Sequence, residues 1–512
     1  MLRNLVLAVV LLSPFGPAIA QSNAPSVSQV VLSSAIQPNG QFPSVYTYNG
    51  PPVALPACAS PCPLLVRANF TTSANVRSIF GLTSTLNASV ATALSVIPVA
   101  SPASGVILKT DSATGLQLPA SGTLGPIFTE RGETIGKHHF YIGVSNQDFH
   151  FKSYNGRSTD SLQLMDIGTN SSTVTAGGAV KSFPVTYNIN MDVRLSQDVA
   201  FLTYGVTDRL DVSVGLPIVH AAVSANTYNG QIFVGNGLAN VSSGINPAYG
   251  NGQGSGNCWC VDTFTPGEPP SPTDGHGLTL ANINSSGRAK TGFGDMIVRA
   301  KGSVIERKSL VVALGVDLRL PTGDEQNFLG TGTTSVKPFA AVSLYTKPLT
   351  DWLVLSPHVN VGWQISGKST LGGLFLPSEV ATSPTAFGQP LTPQKDYLPD
   401  VFSWAVGTEV GIGRRNTVVL DFLGNQIGWI NGIPNMTMEN IANVPAPNTA
   451  TNVTASGFVG AGRTSFGQYS GAFGYKARLV GNLVGTFNML VRFDNNGLTA
   501  RATPLFGLSY TF

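Results

Sequence analysis

Ser356 and His358 stand two residues apart and are the pair in this sequence most like a nucleophile beside its base. On an extended strand such positions share a face, so hydroxyl and imidazole look the same way. Acyl transfer also needs an acid to orient the imidazole and an oxyanion hole, and neither can be located along the chain. Asp324 and Glu325 could offer oxygens to calcium, but a hard cation takes six or more, and Pro321-Thr322-Gly323-Asp324-Glu325 reads more simply as a loop that turns the chain. Gly292-x-Gly294 lacks the strand-to-helix setting of a nucleotide loop. The four cysteines form two close pairs, Cys58/Cys62 and Cys258/Cys260. In an oxidising compartment each pair can close a local disulfide, a staple that adds little stability because its loop is so small. Cys58-x3-Cys62 has neither a histidine nor a second cysteine pair nearby to complete a metal site.

The remaining chemistry-bearing residues are charges, and their positions follow a strand period. From about residue 137, apolar and polar residues alternate repeatedly. Val185, Tyr187, Ile189, Met191, Val193 and Leu195 share one face of a stretch whose other face carries Asn188, Asn190, Asp192 and Arg194. Leu310 to Leu320 sets Leu/Val against Gly315, Asp317 and Arg319. Leu353, Leu355, Val359, Val361 and Trp363 stand opposite Ser356, His358, Asn360 and Gln364. The C-terminus puts Leu498, Ala500, Ala502, Phe506, Leu508, Tyr510 and Phe512 on one face. A soluble sandwich also alternates. These stretches, however, are about 10 to 15 residues long, against about 5 or 6 in a globular strand. Their polar faces carry both signs of charge in mid-strand, and their apolar faces almost none. That is the pattern of a transmembrane antiparallel up-and-down β-barrel with lipid outside and a polar lumen.

Twelve strands are expected, near 137–150, 183–204, 208–222, 291–305, 309–320, 334–347, 351–366, 401–413, 416–430, 468–481, 484–494 and 499–512. Fourteen is the next count, because Gly105 to Pro119 is hairpin-like. Short turns and long loops alternate, as in bacterial barrels with periplasmic turns and external loops. Only the last link, Asn495 to Leu498, is short where the alternation wants an external loop. Strand parity places Asp192, Arg194, Asp198, Asp295, Arg299, Lys301, Asp317, Arg319, Lys337, His358, Glu409, Asp421, Lys476, Arg478 and Arg492 in the lumen, either as an ion-pair ladder filling a narrow barrel or as a polar conduit that orients solutes. The same parity turns Met191, Leu314, Leu318, Val361 and Leu508 to lipid.

Arg3 precedes the apolar run Leu5 to Leu12, and Ala18-Ile19-Ala20 fits a small-x-small cleavage site, so residues 1–20 read as a signal peptide. Eight apolar residues cannot span about 30 Å of hydrocarbon. Residues 21–136 are rich in Pro, Ser and Ala, with a helical pattern through Ile79, Leu82, Leu86, Val90 and Leu94. They precede the first strand, so they lie in the periplasm or fold into the lumen as a plug; the residues leave both open. Residues 137–512 form the barrel. Charged residues are 11% of the 512, against about 25% in soluble domains, and Gly is abundant at 57. A net charge of +3, spread along the chain, gives nucleic acid nothing to bind.

Several segments resemble the outer-membrane proteins grouped as the meta-pathway of phenol degradation family, described as transporter-like. They are Phe128 to Lys137 (FTERGETIGK), Leu202 to Val214, Gly292-Phe293-Gly294-Asp295, Leu318 to Glu325 with Gly330-Thr331-Gly332 and Lys337-Pro338-Phe339, and Ser356 to Gly362. The resemblance spans about residues 75 to 512, apart from the long 223–290 loop with Cys258-Trp259-Cys260. It implies an outer-membrane channel for passive uptake of small hydrophobic or aromatic compounds, and insertion machinery that reads the terminal Phe512. No enzyme activity, cofactor or metal is expected. The alternatives are an outer-membrane lipid or ester hydrolase and a surface-exposing anchor.

Overall fold

The computed structural model describes residues 26–31, 77–98, 101, 108–110, 117–119, 122–170, 181–235, 259–264, 286–346, 348–350, 352–373, 395–413, 415–432, 435–437, 456–458 and 462–512. Residues 1–20 and Cys58, Cys62 and Cys258 lie outside this set; Cys260 falls in the short strand Trp259–Phe264.

Twelve strands close on themselves. They are β1 (Phe140–Phe151), β2 (Lys181–Thr207), β3 (Leu210–Gly235), β4 in two pieces (Ser286–Phe293 and Met296–Arg307), β5 (Leu310–Leu320), β6 (Ser335–Leu344), β7 (Leu353–Ser366), β8 (Val401–Ile412), β9 (Asn416–Gly432), β10 (Gly462–Arg478), β11 (Leu483–Arg492) and β12 (Ala502–Thr511). Each pairs antiparallel with the next, and β12 pairs with β1, with Leu508 opposite Val144 and Thr511 opposite Tyr141. Leu108–Thr110 and Gln117–Pro119 pair only with each other, so they add nothing to the wall and the count is twelve. Closure removes the open edges that lipid could not satisfy.

The outer surface is apolar through the middle of the wall: Ile142, Leu202, Leu216, Leu314, Val361, Phe422, Phe473, Phe506 and Leu508 are all exposed. Aromatic rings gather at both borders. Trp363 meets Phe402 (5.9 Å) and Trp404 meets Phe422 (5.4 Å) toward the long loops, while Phe140 meets Tyr204 (4.7 Å) and Tyr510 meets Phe512 (4.6 Å) toward the short turns. Such girdles bracket the hydrocarbon layer. The fold is a transmembrane barrel of the bacterial outer membrane.

The 27 residues of β2 are more than twice what a bilayer requires. Above the lipid the wall continues into water, and there the alternation changes meaning. Met191 is 1% exposed and, with Val193 and Leu195, faces inward, while Asn190, Asp192, Arg194 and Asp198 face outward. Met191 is therefore not lipid-facing, and Asp192, Arg194 and Asp198 do not line the lumen. Asp192 pairs on the outside with His150 (2.7 Å) and Arg194 (3.0 Å). Residues 498 to 500 depart from expectation for a similar reason. Leu498 and Ala500 are buried, because the short strand Leu498–Thr499 leaves the wall to pair with Ser153–Tyr154.

That departure also accounts for the short external link. Asp494 accepts hydrogen bonds from Arg492 Nη2 (2.7 Å), the Tyr469 amide (2.5 Å) and the Asn496 amide (2.9 Å). Burial alone would raise its carboxyl, but these donors outweigh it and hold the carboxyl below the usual aspartate range. A carboxyl depressed in the folded state stabilises it above the unfolded pKa of about 3.9, and that contribution is lost as pH falls through the folded value. Asp494→Asn is thus expected to lower the urea midpoint at pH 7, with the gap to wild type closing below about pH 4. A gap that persists undiminished at pH 2 excludes the carboxylate as its source.

Candidate functional site

The lumen is filled from within by the chain's own N-terminal part. Helix α1 (Arg77–Val96) is buried on every side from Thr83 to Thr92, polar and apolar positions alike, as a helix inside a barrel must be. Ala88 packs on Val401 and Ile427 at the external ends of β8 and β9. Nearer the periplasm, residues 122–136 run as an irregular strap across the lumen. The strap has almost no backbone partners of its own, so inward side chains of the wall must satisfy it. Thr417 Oγ1 accepts from the Leu124 amide (2.9 Å), Glu409 from Gly125 (3.1 Å), Asn360 from Glu130 (2.7 Å), Ser343 from Gly132 (3.0 Å) and Asp211 from Ile135 (2.9 Å). Lys476 Nζ donates to the Pro126 carbonyl (2.6 Å) and Ser303 to that of Gly132 (2.6 Å). At its end the strap touches the wall: a Cβ on Gly205 would overlap the carbonyl of Gly136, and Gly136 itself turns with φ of 92°.

Strap side chains complete an ionic layer. Arg131 meets Glu409 at 2.6 Å, both nearly inaccessible, and donates a second bond to Thr123 Oγ1 (2.6 Å). Glu130 bridges Arg299 and Lys301, and Arg299 grips Asp317 in two bonds of 2.5 and 2.7 Å, as their directly opposed register allows. His358 Nε2 lies 2.7 Å from Thr129 Oγ1 and 2.8 Å from Asp421 Oδ1. Threonine, histidine and aspartate are thus together, but hydroxyl and carboxylate crowd one nitrogen. A base needs one ring nitrogen for the nucleophile and the other for the orienting acid. Ser356 is buried, and its hydroxyl has no hydrogen-bond partner among the described residues.

The positions expected from parity therefore sort into groups. Arg299, Lys301, Asp317, His358, Glu409, Asp421 and Lys476 face inward, and all but Asp317 touch the strap directly. Arg319, Lys337 and Arg492 face inward higher up. Arg478 sits by the periplasmic turn, where its amide meets the Arg415 carbonyl. Asp295 lies buried in the break of β4 and accepts from Gly323 and Thr331 amides (3.1 and 2.7 Å), pinning the external 321–333 loop. The sequence reading missed Glu130 and Arg131, although Thr129-Glu130-Arg131-Gly132-Glu133 is a dense charge run in a charge-poor chain. It also missed Phe149 and Phe151, which parity on β1 would have turned inward.

Between α1 and the strap lies a cavity of about 220 Å³. Phe128, Phe149, Phe151, Phe201 and Phe339 line it, with Arg299, Arg319, Lys337 and Arg492 among the polar groups. Phe149 and Phe151 are stacked (6.1 Å, 13° apart), and the Arg299 guanidinium lies 5.0 Å from the Phe339 ring centre. Gly315 makes room for that ring, which a Cβ there would strike.

No family model matches the chain, and no curated protein matches it. Among solved structures it is similar to an outer membrane channel of Pseudomonas putida F1, with 10% identity and a TM-score of 0.36 over 74% of this chain and 97% of that one. A Pseudomonas aeruginosa FadL homologue is 9% identical with a TM-score of 0.27, over 80% of this chain and 96% of that one. The CymD monoaromatic hydrocarbon channel is 8% identical with a TM-score of 0.26, over 73% and 88%. The barrel assignment stands on the strand pairing itself.

Proposed function

We propose that this chain is a passive outer-membrane channel for small hydrophobic or aromatic compounds, as its resemblance to the meta-pathway of phenol degradation family implies, and not an enzyme. The observation that carries this reading is the phenylalanine-lined cavity inside a closed membrane barrel. A solute leaving water for that cavity gains about 25 cal/mol per Å² of apolar surface buried, and ring-on-ring contact adds specificity. The strap below makes the path selective instead of a water-filled pore. Movement is diffusive, since no nucleotide loop occurs in the sequence. Outer-membrane lipid surrounds the wall, and Phe512, exposed at the end of β12, is the element offered to insertion machinery.

Vesicles with a lipopolysaccharide outer leaflet, with and without the protein, test the proposal with phenol and a disaccharide in parallel. Faster phenol entry with no change for the disaccharide is the expected result. Equal acceleration of both makes the chain a general pore, and acceleration of neither removes the channel. Release of nitrophenol from an ester, abolished by Ser356→Ala, would favour the hydrolase instead.

A further inference from the structure

The cavity wall holds more cations than its carboxylates pair by hydrogen bond: Lys337 stands directly opposite Asp317 across the sheet, but the Asp317 oxygens go to Arg299. Asp317 is taken up by Arg299, Glu130 by Arg299 and Lys301, and Arg492 pairs with Asp494. Arg319 makes one hydrogen bond among the described residues, from Nη1 to the Leu94 carbonyl at 3.0 Å, which leaves four of its five N–H donors. Lys337 has no hydrogen bond and no ion pair among the described residues. Arg319 is registered opposite Ser335, two residues from Lys337 on the same face of β6, so the two cations are diagonal neighbours with Cα atoms about 7–8 Å apart. Phe339 follows Lys337 on that face, and the stacked Phe149 and Phe151 line the same cavity.

We propose that this cavity binds aromatic carboxylates, with the carboxylate between Arg319 and Lys337 and the ring against the phenylalanines. Two cations beside one carboxylate that is already bonded to Arg299 pay desolvation that is only partly offset, and an arriving carboxylate makes up the rest with charge-assisted bonds. A neutral aromatic gains only ring burial, and a small anion gains only the charge contacts. The proposal rests on the channel reading for how solute reaches the site and narrows that reading to organic anions.

The test is calorimetric titration of the full-length protein in detergent with benzoate, benzyl alcohol and acetate. Benzoate is expected to bind at least tenfold more tightly than either. Lys337→Gln and Arg319→Gln should each weaken benzoate at least fivefold and leave benzyl alcohol within twofold, while Lys337→Arg keeps most of the affinity. Equal binding of benzoate and benzyl alcohol, acetate binding as tightly as benzoate, or unchanged benzoate affinity in both glutamine variants overturns the proposal. Because titration needs no transport, the two readings separate: benzoate binding without vesicle uptake keeps the site and removes the channel, and uptake without carboxylate preference does the reverse.

Discussion

Replacing Leu314 by Arg is expected to cost about 2–4 kcal/mol of folding into lipid vesicles, whereas Asn190→Arg should stay within about 0.5 kcal/mol of wild type. Both positions face outward. Leu314 is 54% exposed near the middle of β5, opposite Gly302 and Ala340 on its neighbours, with apolar surface all around. A guanidinium there must thin the bilayer or stretch to the interface. Asn190 lies on the part of β2 that rises beyond the girdles, beside Asp192 and Arg194, where water already solvates charge. Urea titrations of both variants, refolded into the same vesicles, measure the difference. Equal costs at the two sites would show that no hydrocarbon border lies between them.

That border explains which parts of the molecule were legible in the sequence. Alternation reports which residues share a face, and it gave the strands and their closure because period and loop alternation are local properties. It does not report what each face meets. Through lipid the apolar face looks out, so Leu314, Val361, Leu508 and, inside, Arg299, Asp317, His358 and Glu409 followed from parity. Above the lipid the outside is water and the inside is packed with the N-terminal part of the chain, so the same alternation reads in reverse. Met191 turned inward, and Asp192, Arg194 and Asp198 turned outward. The cavity was hidden for a related reason. Its walls come from all twelve strands, α1 and the strap, and no local pattern brings Phe149 to Lys337. The strap left a trace, since Glu130, Arg131 and Glu133 within four residues needed partners that only the lumen could supply.

Those partners set the second large effect. Glu409→Ala is expected to destabilise the barrel with its strap by about 3–5 kcal/mol, because it strands the Arg131 guanidinium in a layer with almost no water. Arg131 and Glu409 are 1% and 2% exposed, so neither charge can recover its hydration while the strap stays in place. The same substitution removes the acceptor for the Gly125 amide and so frees a second buried group. Charge loss alone is not the cause, and the double variant Arg131→Met with Glu409→Met separates the two. Replacing a buried ion pair by apolar side chains of similar size is often near neutral, so the double variant should recover most of the loss, to within about 1–2 kcal/mol of wild type. The Gly125 amide stays unpaired in both, which is why recovery is expected to be incomplete. Urea unfolding in vesicles reads the barrel, and protease cleavage within 122–136 reads the strap. A Glu409→Ala variant with wild-type stability and an uncut strap would mean that the pair does not hold the strap. A double variant as unstable as the single one would locate the loss in lost contacts instead of in the stranded charge.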